Sequence, residues 1–291
     1  MSLLIMGIVF GIITASVLSI ASVGLTLQFG ITNFVNFAYG EFLSLGAYFA
    51  LICNTVWHLN IWLSMLIASV LVAGLSFLVN RLVIEPFTKR KAPLLILLVV
   101  TIGLSLFLQN LIQAIWGANF QQYSVVTGLP LHLGPILITV QQIIIIAIAI
   151  VLMVATHALL RYTKLGKAMR AMSDDPELAR VSGIHIRRIT DITWLISGLL
   201  AGMAGVILAM NTNSFTPTIG SSFLFVIFAA VICGGIGNPY GAIAGAFVIG
   251  IVMEVSASYM DSSYKMVIAF AILILVLLFR PQGIFRSRGR V

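Results

Sequence analysis

Charged residues are scarce in this sequence. Only 8% of its 291 residues are Asp, Glu, Lys or Arg, whereas 60% are hydrophobic. Soluble domains carry about 25% charged residues, so this chain could not cover a water-facing surface, and lipid must cover most of it. The length suits about eight to ten membrane spans joined by short loops, and it leaves no room for a large soluble domain.

Several chemical signatures are also missing. The two cysteines, Cys53 and Cys233, lie far apart in apolar or Gly-rich surroundings, which favours packed small side chains over a disulfide or metal cluster. The four histidines are scattered without a Ser/His/Asp set or metal-ligand spacing, so we expect no enzyme. The Gly-rich stretch after residue 233 lacks the Lys-Ser/Thr of a phosphate-binding loop, so we expect the chain itself to bind neither ATP nor another cofactor.

Long, continuously apolar runs take the place of the alternating pattern of a β-barrel. All ten residues from 143 to 152 are apolar, whereas a barrel strand alternates apolar and polar side chains. The sequence therefore predicts an all-α membrane protein with about eight or nine transmembrane helices, in a single domain over residues 1–291. The apolar stretches lie near residues 3–22, 31–53, 61–80, 94–113, 136–159, 190–210, 221–236, 241–258 and 265–279.

Basic residues occupy three places, which follow the third, fifth and last apolar stretches. Lys265 alone lies elsewhere. Nine alternating crossings put all three clusters on one side, and the positive-inside rule makes that side cytoplasmic. We therefore predict an outside N-terminus and a cytoplasmic C-terminus. The clusters are Arg81, Lys89, Arg90 and Lys91; Arg161, Lys164, Lys167, Arg170, Arg180, Arg187 and Arg188; and Arg280, Arg286, Arg288 and Arg290.

The second apolar stretch is preceded and interrupted by polar residues. Residues 24–41 hold three glycines, Gln28, Asn33, Asn36 and Glu41 at or near membrane depth. A carboxylate there is costly unless it faces protein or water, and Gly and Asn favour unwound or left-handed backbone. A discontinuous helix that lines a cavity fits both facts. Alternatively, Glu41 anchors a helix end by pairing with a neighbouring helix.

A second interruption lies between the seventh and eighth apolar stretches. Its glycines permit a tight turn and Pro239 cannot continue a helix. Tyr39-Gly40 is echoed by Tyr240-Gly241, and paired broken segments indicate inverted repeats around a central solute site.

The loop of residues 160–190 contains the signals of a short helix. Asp175 is a helix N-cap, Pro176 a first helical residue and Glu177 an acid near the positive dipole end, while Gly183 ends the helix. We predict a helix of about seven residues, a compact knob that a partner's groove could hold. The alternative is an ordinary solvated loop helix.

Four motifs follow one another along nearly the whole chain: residues 33–42 with their flanking glycines, residues 166–184, residues 234–241 and residues 280–285. Together they resemble the permeases of branched-chain amino acid ABC transporters. Urea and short-amide permeases share this likeness, and the position of Tyr39 is often histidine in the family. The chain resembles the shorter of the two permease partners.

The resemblance implies a heteromeric importer in a bacterial or archaeal inner membrane. A second homologous permease, two ATPase subunits that bind the ATP, and an extracytoplasmic solute-binding protein are its implied partners. Residues 174–183 would form the helix that docks on an ATPase. The implied pathway residues are Asn33, Asn36, Tyr39, Gly40, Glu41, Gly235, Gly237 and Asn238, and the implied coupling residues are Arg170, Asp174, Asp175, Pro176, Glu177, Ala179 and Gly183.

We therefore expect a permease subunit that translocates branched-chain amino acids by alternating access coupled to partner ATPases. A urea or short-amide permease is the alternative of the same class. A channel or secondary transporter that works without ATPases is an alternative of another class, with Glu41 and Glu254 as its candidate ion-coupling carboxylates.

Overall fold

The structure, a computed structural model, describes residues 2–125, 131–133, 136–261, 264–280 and 283–284. Helices dominate this part of the chain, and two π-helical turns, Ile52–Val56 and Asn80–Ile84, extend α2 and α3. A short antiparallel hairpin, β1 (Leu131–Leu133) and β2 (Ile136–Ile138), precedes α6. The helices are α1 (Ser2–Thr32), α2 (Tyr39–Leu51), α3 (Ile61–Val79), α4 (Glu85–Lys89), α5 (Leu94–Trp116), α6 (Val140–Tyr162), α7 (Lys164–Asp174), α8 (Pro176–Val181), α9 (Ile186–Thr212), α10 (Ile219–Gly234), α11 (Pro239–Ala257) and α12 (Lys265–Phe279).

The lengths and compositions of these helices confirm a helical, multi-span membrane protein. Among the described residues, six helical segments are long and apolar enough to cross a bilayer: α1, α3 with its extension to Lys89, α5, α6, α9 and α11. Helices α10 and α12 are apolar but shorter.

Several helix boundaries differ from the predicted apolar stretches, among them those at the first break and at the start of α6. Helix α1 continues to Thr32 rather than ending near residue 22, and the first break covers residues 33–38. The polar Gln28 stays helical because it is buried and bonded to Asn36. At the other boundary, residues 136–138 form β2, so α6 begins only at Val140. A reciprocal capping box fixes that start, because Thr139 N donates to Gln142 Oε1 at 3.0 Å and Gln142 N to Thr139 Oγ1 at 3.3 Å.

The described residues cluster into two compact units. The first comprises those of residues 1–26, 125–158 and 225–291, and the second those of residues 27–124 and 159–224. The single domain over residues 1–291 stays a prediction.

Helix α9 is the core of the second unit, where it packs against both α2 and α3. Its residues from Leu200 to Met210 are all buried. A Cβ on Gly202 would lie 2.8 Å from Ser69 Cα of α3, and one on Gly205 would overlap the Leu43 carbonyl of α2. Small residues therefore let three helices approach to backbone contact, as is common in membrane proteins.

In the first unit, α1 and α11 also meet through small residues. A Cβ on Gly11 would lie 2.7 Å from Ile251 Cα, and one on Gly250 would lie 2.7 Å from Ala15 Cα. An ion pair joins α12 to this contact, since Lys265 Nζ lies 2.8 Å from Glu254 Oε2. Thr14 of α1 donates to the same carboxylate at 3.0 Å.

Candidate translocation pathway and coupling surface

The chain leaves α1 through a left-handed residue and re-enters helix around a buried amide. Asn33 has φ 57° and is exposed, in keeping with the left-handed backbone expected there. Asn36 is buried: its Oδ1 accepts from Ala38 N at 3.0 Å and its Nδ2 donates to Gln28 Oε1 at 3.3 Å. Hydrogen bonds inside the protein, rather than solvent, therefore hold the break together. Irregular backbone at membrane depth requires such shielding from lipid.

Helix α2 then starts in close contact with the start of α10. Tyr39 and Gly40 are fully buried, and a Cβ on Gly40 would lie 2.7 Å from the Gly220 carbonyl oxygen. Ser44 Oγ donates to Pro217 O and accepts from Gly220 N, both at 3.0 Å. Position 40 thus admits only glycine without a backbone shift.

Glu41 bonds to the middle of α5, a helix that is long and apolar enough to cross a membrane. Glu41 is fully buried, and Ser105, the twelfth of the 23 residues of α5, donates to its Oε1 at 3.1 Å. Its Oε2 has no hydrogen-bond partner among the described residues. One turn further along α5, Gln109 Nε2 lies 3.4 Å from Ser221 Oγ of α10. The bond to Ser105 fits the anchoring alternative, whereas the unpartnered oxygen fits a pathway residue.

The second break is the tight turn that the sequence predicts. Gly235 and Gly237 have φ of 108° and 85°, which only glycine adopts freely. Asn238 caps α11 through Oδ1, which accepts from Tyr240 N at 3.0 Å and Gly241 N at 3.3 Å, and Pro239 is the first helical residue. The described end of the fourth motif lies on this turn, because Ile284 N donates to the Cys233 carbonyl at 2.8 Å; residues 281–282 and 285 lie outside the described part.

In both breaks an asparagine side chain accepts from the backbone N–H two residues on, and a Tyr-Gly pair begins three residues after the first asparagine and two after the second. Each glycine of these pairs lies against α10: Gly40 against Gly220, and Gly241 against Gly234. Of the predicted pathway residues, those from 33 to 41 belong to the second unit and those from 235 to 238 to the first. The inverted repeat and the pathway itself stay predictions.

The predicted coupling helix exists as α8, with six residues rather than seven. Asp175 Oδ1 accepts from Glu177 N at 2.9 Å and from Leu178 N at 3.0 Å, so the predicted N-cap is confirmed. Gly183 has φ 83° and follows the helix, with Ile184 N donating to the Ala179 carbonyl.

The exposed side of this element is partly apolar. Leu178 and Val181 are 62% and 80% exposed, whereas Ala179 is 3% exposed and supports α8 from within. Arg170, Asp174, Asp175, Pro176, Glu177 and Gly183 are all exposed. Sequence reasoning missed Leu178 and Val181, because a helix of six residues is too short for its pattern of apolar residues to indicate which face is exposed. Beside them, a groove of about 220 Å³ is lined by Ala171, Asp174, Leu178 and Ile184 among others.

Helix α7, which leads into α8, was not predicted. Thr163 caps it by accepting from Gly166 N at 3.0 Å. Met169 and Met172 are buried and Leu165 is partly buried, a spacing of four and seven residues that indicates an amphipathic helix.

The third and sixth apolar stretches are tied together by ion pairs near the first basic cluster. Glu85 binds Lys89 at 2.9 Å and Arg187 at 2.7 Å. Asp191 accepts from Asn80 Nδ2 at 3.0 Å and binds Arg81 at 3.3 Å. The bonds of Arg187 to Glu85 and of Asp191 to Asn80 and Arg81 hold α9 against α4 and the end of α3.

Comparison with known proteins decides the family. A family model described as "Branched-chain amino acid transport system / permease component" matches residues 7–277. The chain belongs to this permease family. It is 31% identical to the high-affinity branched-chain amino acid transport system permease protein LivH of Escherichia coli (strain K12), over 94% of this chain and 92% of LivH. The corresponding protein LivM of the same strain is 24% identical, over 91% of this chain and 67% of LivM.

A solved structure shares the fold of this permease. The structure of "PsaBC from Streptococcus pneumoniae in complex with Fab" superposes with a TM-score of 0.51 over 94% of this chain and 91% of that chain. Its sequence identity is 12%, so the likeness concerns the fold alone. The family and the apolar helices together make this chain a multi-pass inner-membrane protein.

Proposed function

We propose that this permease translocates branched-chain amino acids as a membrane subunit of an ATP-driven importer. The observation that carries the proposal is the family match over residues 7–277, because it spans both breaks and the coupling helix. The transport activity that LivH is named for, together with the likeness over nearly its whole length, supports the solute class.

A second, homologous permease subunit completes the membrane part. Support comes from the likeness of this one chain to both LivH and LivM, which are separate permease proteins of one strain. Two ATPase subunits bind the ATP, and an extracytoplasmic binding protein delivers the solute. In this assignment the chain transports its solute and catalyses no reaction of its own.

The two breaks shape the pathway. The pathway is lined or shaped by Asn33, Asn36, Tyr39, Gly40 and Glu41 of the first break and by Gly235, Gly237 and Asn238 of the second. Alternating access changes which membrane face this pathway opens to. Broken helices near mid-depth are typical of solute sites in transporters. The burial of Asn36 and Glu41, together with the unpartnered oxygen of Glu41, supports this role.

Helix α8 transmits the movement of the ATPases. Its exposed Leu178 and Val181 supply the apolar centre that a docking interface needs, and the charged residues Arg170, Asp174 and Glu177 supply a polar rim. The shape of α8 and its ends depends on Asp175, Pro176, Ala179 and Gly183. This assignment places α8 and the C-terminus in the cytoplasm and the N-terminus outside, in agreement with the positive-inside rule.

Uptake by the reconstituted complex tests the solute. The permease, co-purified with its partner permease and ATPases, is placed in proteoliposomes with ATP inside and its binding protein outside. We expect ATP-dependent uptake of labelled leucine and no uptake of labelled urea. Uptake of urea alone would show that the proposed solute class is wrong and that the chain still belongs to an importer.

A further inference from the structure

The basic residues next to the membrane-spanning helices differ in whether a carboxylate of the protein pairs with them. In the first cluster, Arg81 and Lys89 are paired with Asp191 and Glu85. In the second cluster, Arg161, Lys164 and Lys167 are exposed and make no ion pair with a described carboxylate. No acidic residue occurs from position 161 to position 173. The topology rule explains why both clusters are basic, but it does not explain why Arg161, Lys164 and Lys167 are left without counter-charges.

The corner between α6 and α7 keeps these cations beside the end of a spanning helix. Only Thr163 separates the two helices, and a Cβ on Gly166 would overlap the carbonyl oxygens of Leu159 and Leu160. Helix α7 therefore starts in backbone contact with the last turn of α6. Its apolar face is buried through Met169 and Met172, so Lys164 and Lys167 stay on the outer face.

The residue at the end of α6 has the character of an interfacial anchor. Tyr162 is 73% exposed, and the Arg161 guanidinium carbon lies 5.8 Å from its ring centroid. Exposed tyrosines at the ends of apolar helices lie at the depth of the lipid headgroups, and long basic side chains extend toward the same layer. The helix they end is itself largely exposed along its length, with Ile150, Val151 and Val154 more than half exposed.

We propose that Arg161, Lys164 and Lys167 bind the headgroups of anionic phospholipids. Clusters of basic residues immediately beyond a spanning helix attract anionic lipids. The lipid phosphates supply the counter-charges that this part of the protein lacks, and they hold α7, and with it the start of α8, at the membrane surface.

Native mass spectrometry of the purified full-length chain tests this proposal. The chain is titrated with phosphatidylglycerol or with phosphatidylethanolamine of the same acyl chains. We expect the unaltered chain to retain the anionic lipid about tenfold more strongly, and the variant R161Q/K164Q/K167Q to lose that preference. The control R81Q/K89Q/R187Q removes the same number of charges from paired positions and is expected to keep it.

Three results would overturn the proposal. In the first, the unaltered chain shows no preference for phosphatidylglycerol. In the second, the triple variant retains the preference in full. In the third, the triple variant and the control lose the preference to the same extent. If the triple variant does not elute as a monodisperse species, the unaltered chain is titrated at low and high salt instead. Its preference must then decrease as salt screens the contact, and a preference that salt leaves unchanged overturns the proposal.

Discussion

Single residues decide how closely the helices of this permease approach one another. Gly40, Gly202, Gly205 and Gly250 each lie where a Cβ would meet a neighbouring backbone atom. Lipid gives no hydrophobic drive for helix association, so this backbone proximity and the resulting packing must stabilise the fold. The same sequence contains glycines without such contacts, which makes the claim testable at matched positions.

Replacing Gly205 by alanine is expected to destabilise the protein. The new Cβ would overlap the Leu43 carbonyl, which cannot move without displacing α2, and overpacking of this kind costs about 1–3 kcal/mol. Gly103→Ala is the control, because a Cβ at that exposed position of α5 would have no described atom of a neighbouring element within 4 Å. Thermal unfolding in detergent should show a lower midpoint for Gly205→Ala only; equal midpoints would contradict the packing role.

Removing Lys265 is expected to leave the Glu254 carboxylate short of a counter-charge. The Lys265 ammonium lies 2.9 and 2.8 Å from the two carboxylate oxygens of Glu254. Because both side chains are partly exposed, the loss in unfolding free energy for Lys265→Met should be about 1–3 kcal/mol, below that of a fully buried pair.

A double variant separates the ion pair from other effects of that change. Adding Glu254→Gln to Lys265→Met removes the unpaired charge and should restore part of the stability. If the two substitutions prove simply additive in thermal or chemical unfolding, the pair does not stabilise the contact of α11 with α12.

Helix α8 depends on its N-terminal cap. A helix of six residues is too short to be stable by propensity, so its N-cap and its attachment through Ala179 maintain it. Two features of this element were predictable from sequence, the Asp175-Pro176 start and the Gly183 stop. Its outward face was not, because which side of a short helix is buried depends on helix α7 and on packing that no local pattern reveals.

Asp175→Ala should weaken α8 by about 0.5–2 kcal/mol, since two backbone N–H groups lose their acceptor. Asp175→Asn keeps an acceptor at the same place and removes the charge. We expect fewer ATPase subunits to co-purify with the alanine variant and an unchanged number with the asparagine variant. Equal losses in both would mean that the charge, rather than the cap, makes the contact.

Across the whole molecule, composition and charge placement were sufficient to predict a helical membrane protein with two breaks. The Asn and Gly residues predicted both breaks, since their backbone preferences are local. The end of α1 was misplaced because Gln28 is held in the helix by a buried contact with Asn36, a residue eight positions away. The unpartnered oxygen of Glu41 and the ion pairs of Glu85 likewise depend on helices distant in sequence, which periodicity cannot bring together.

The central claim is that this permease moves its solute only when ATPases dock on α8. The most direct measurement is the leucine accumulation ratio in proteoliposomes of the full complex, started at equal leucine concentrations on both sides with ATP inside and binding protein outside. For the unaltered chain we predict that leucine accumulates inside above its outside concentration, and for Val181→Asp on α8 we predict no accumulation. The control is Val56→Asp, at an exposed position (65%) beyond α2, which should accumulate leucine like the unaltered chain. Leucine that equilibrates without accumulating, or that accumulates equally in the Val181→Asp variant, would contradict this account.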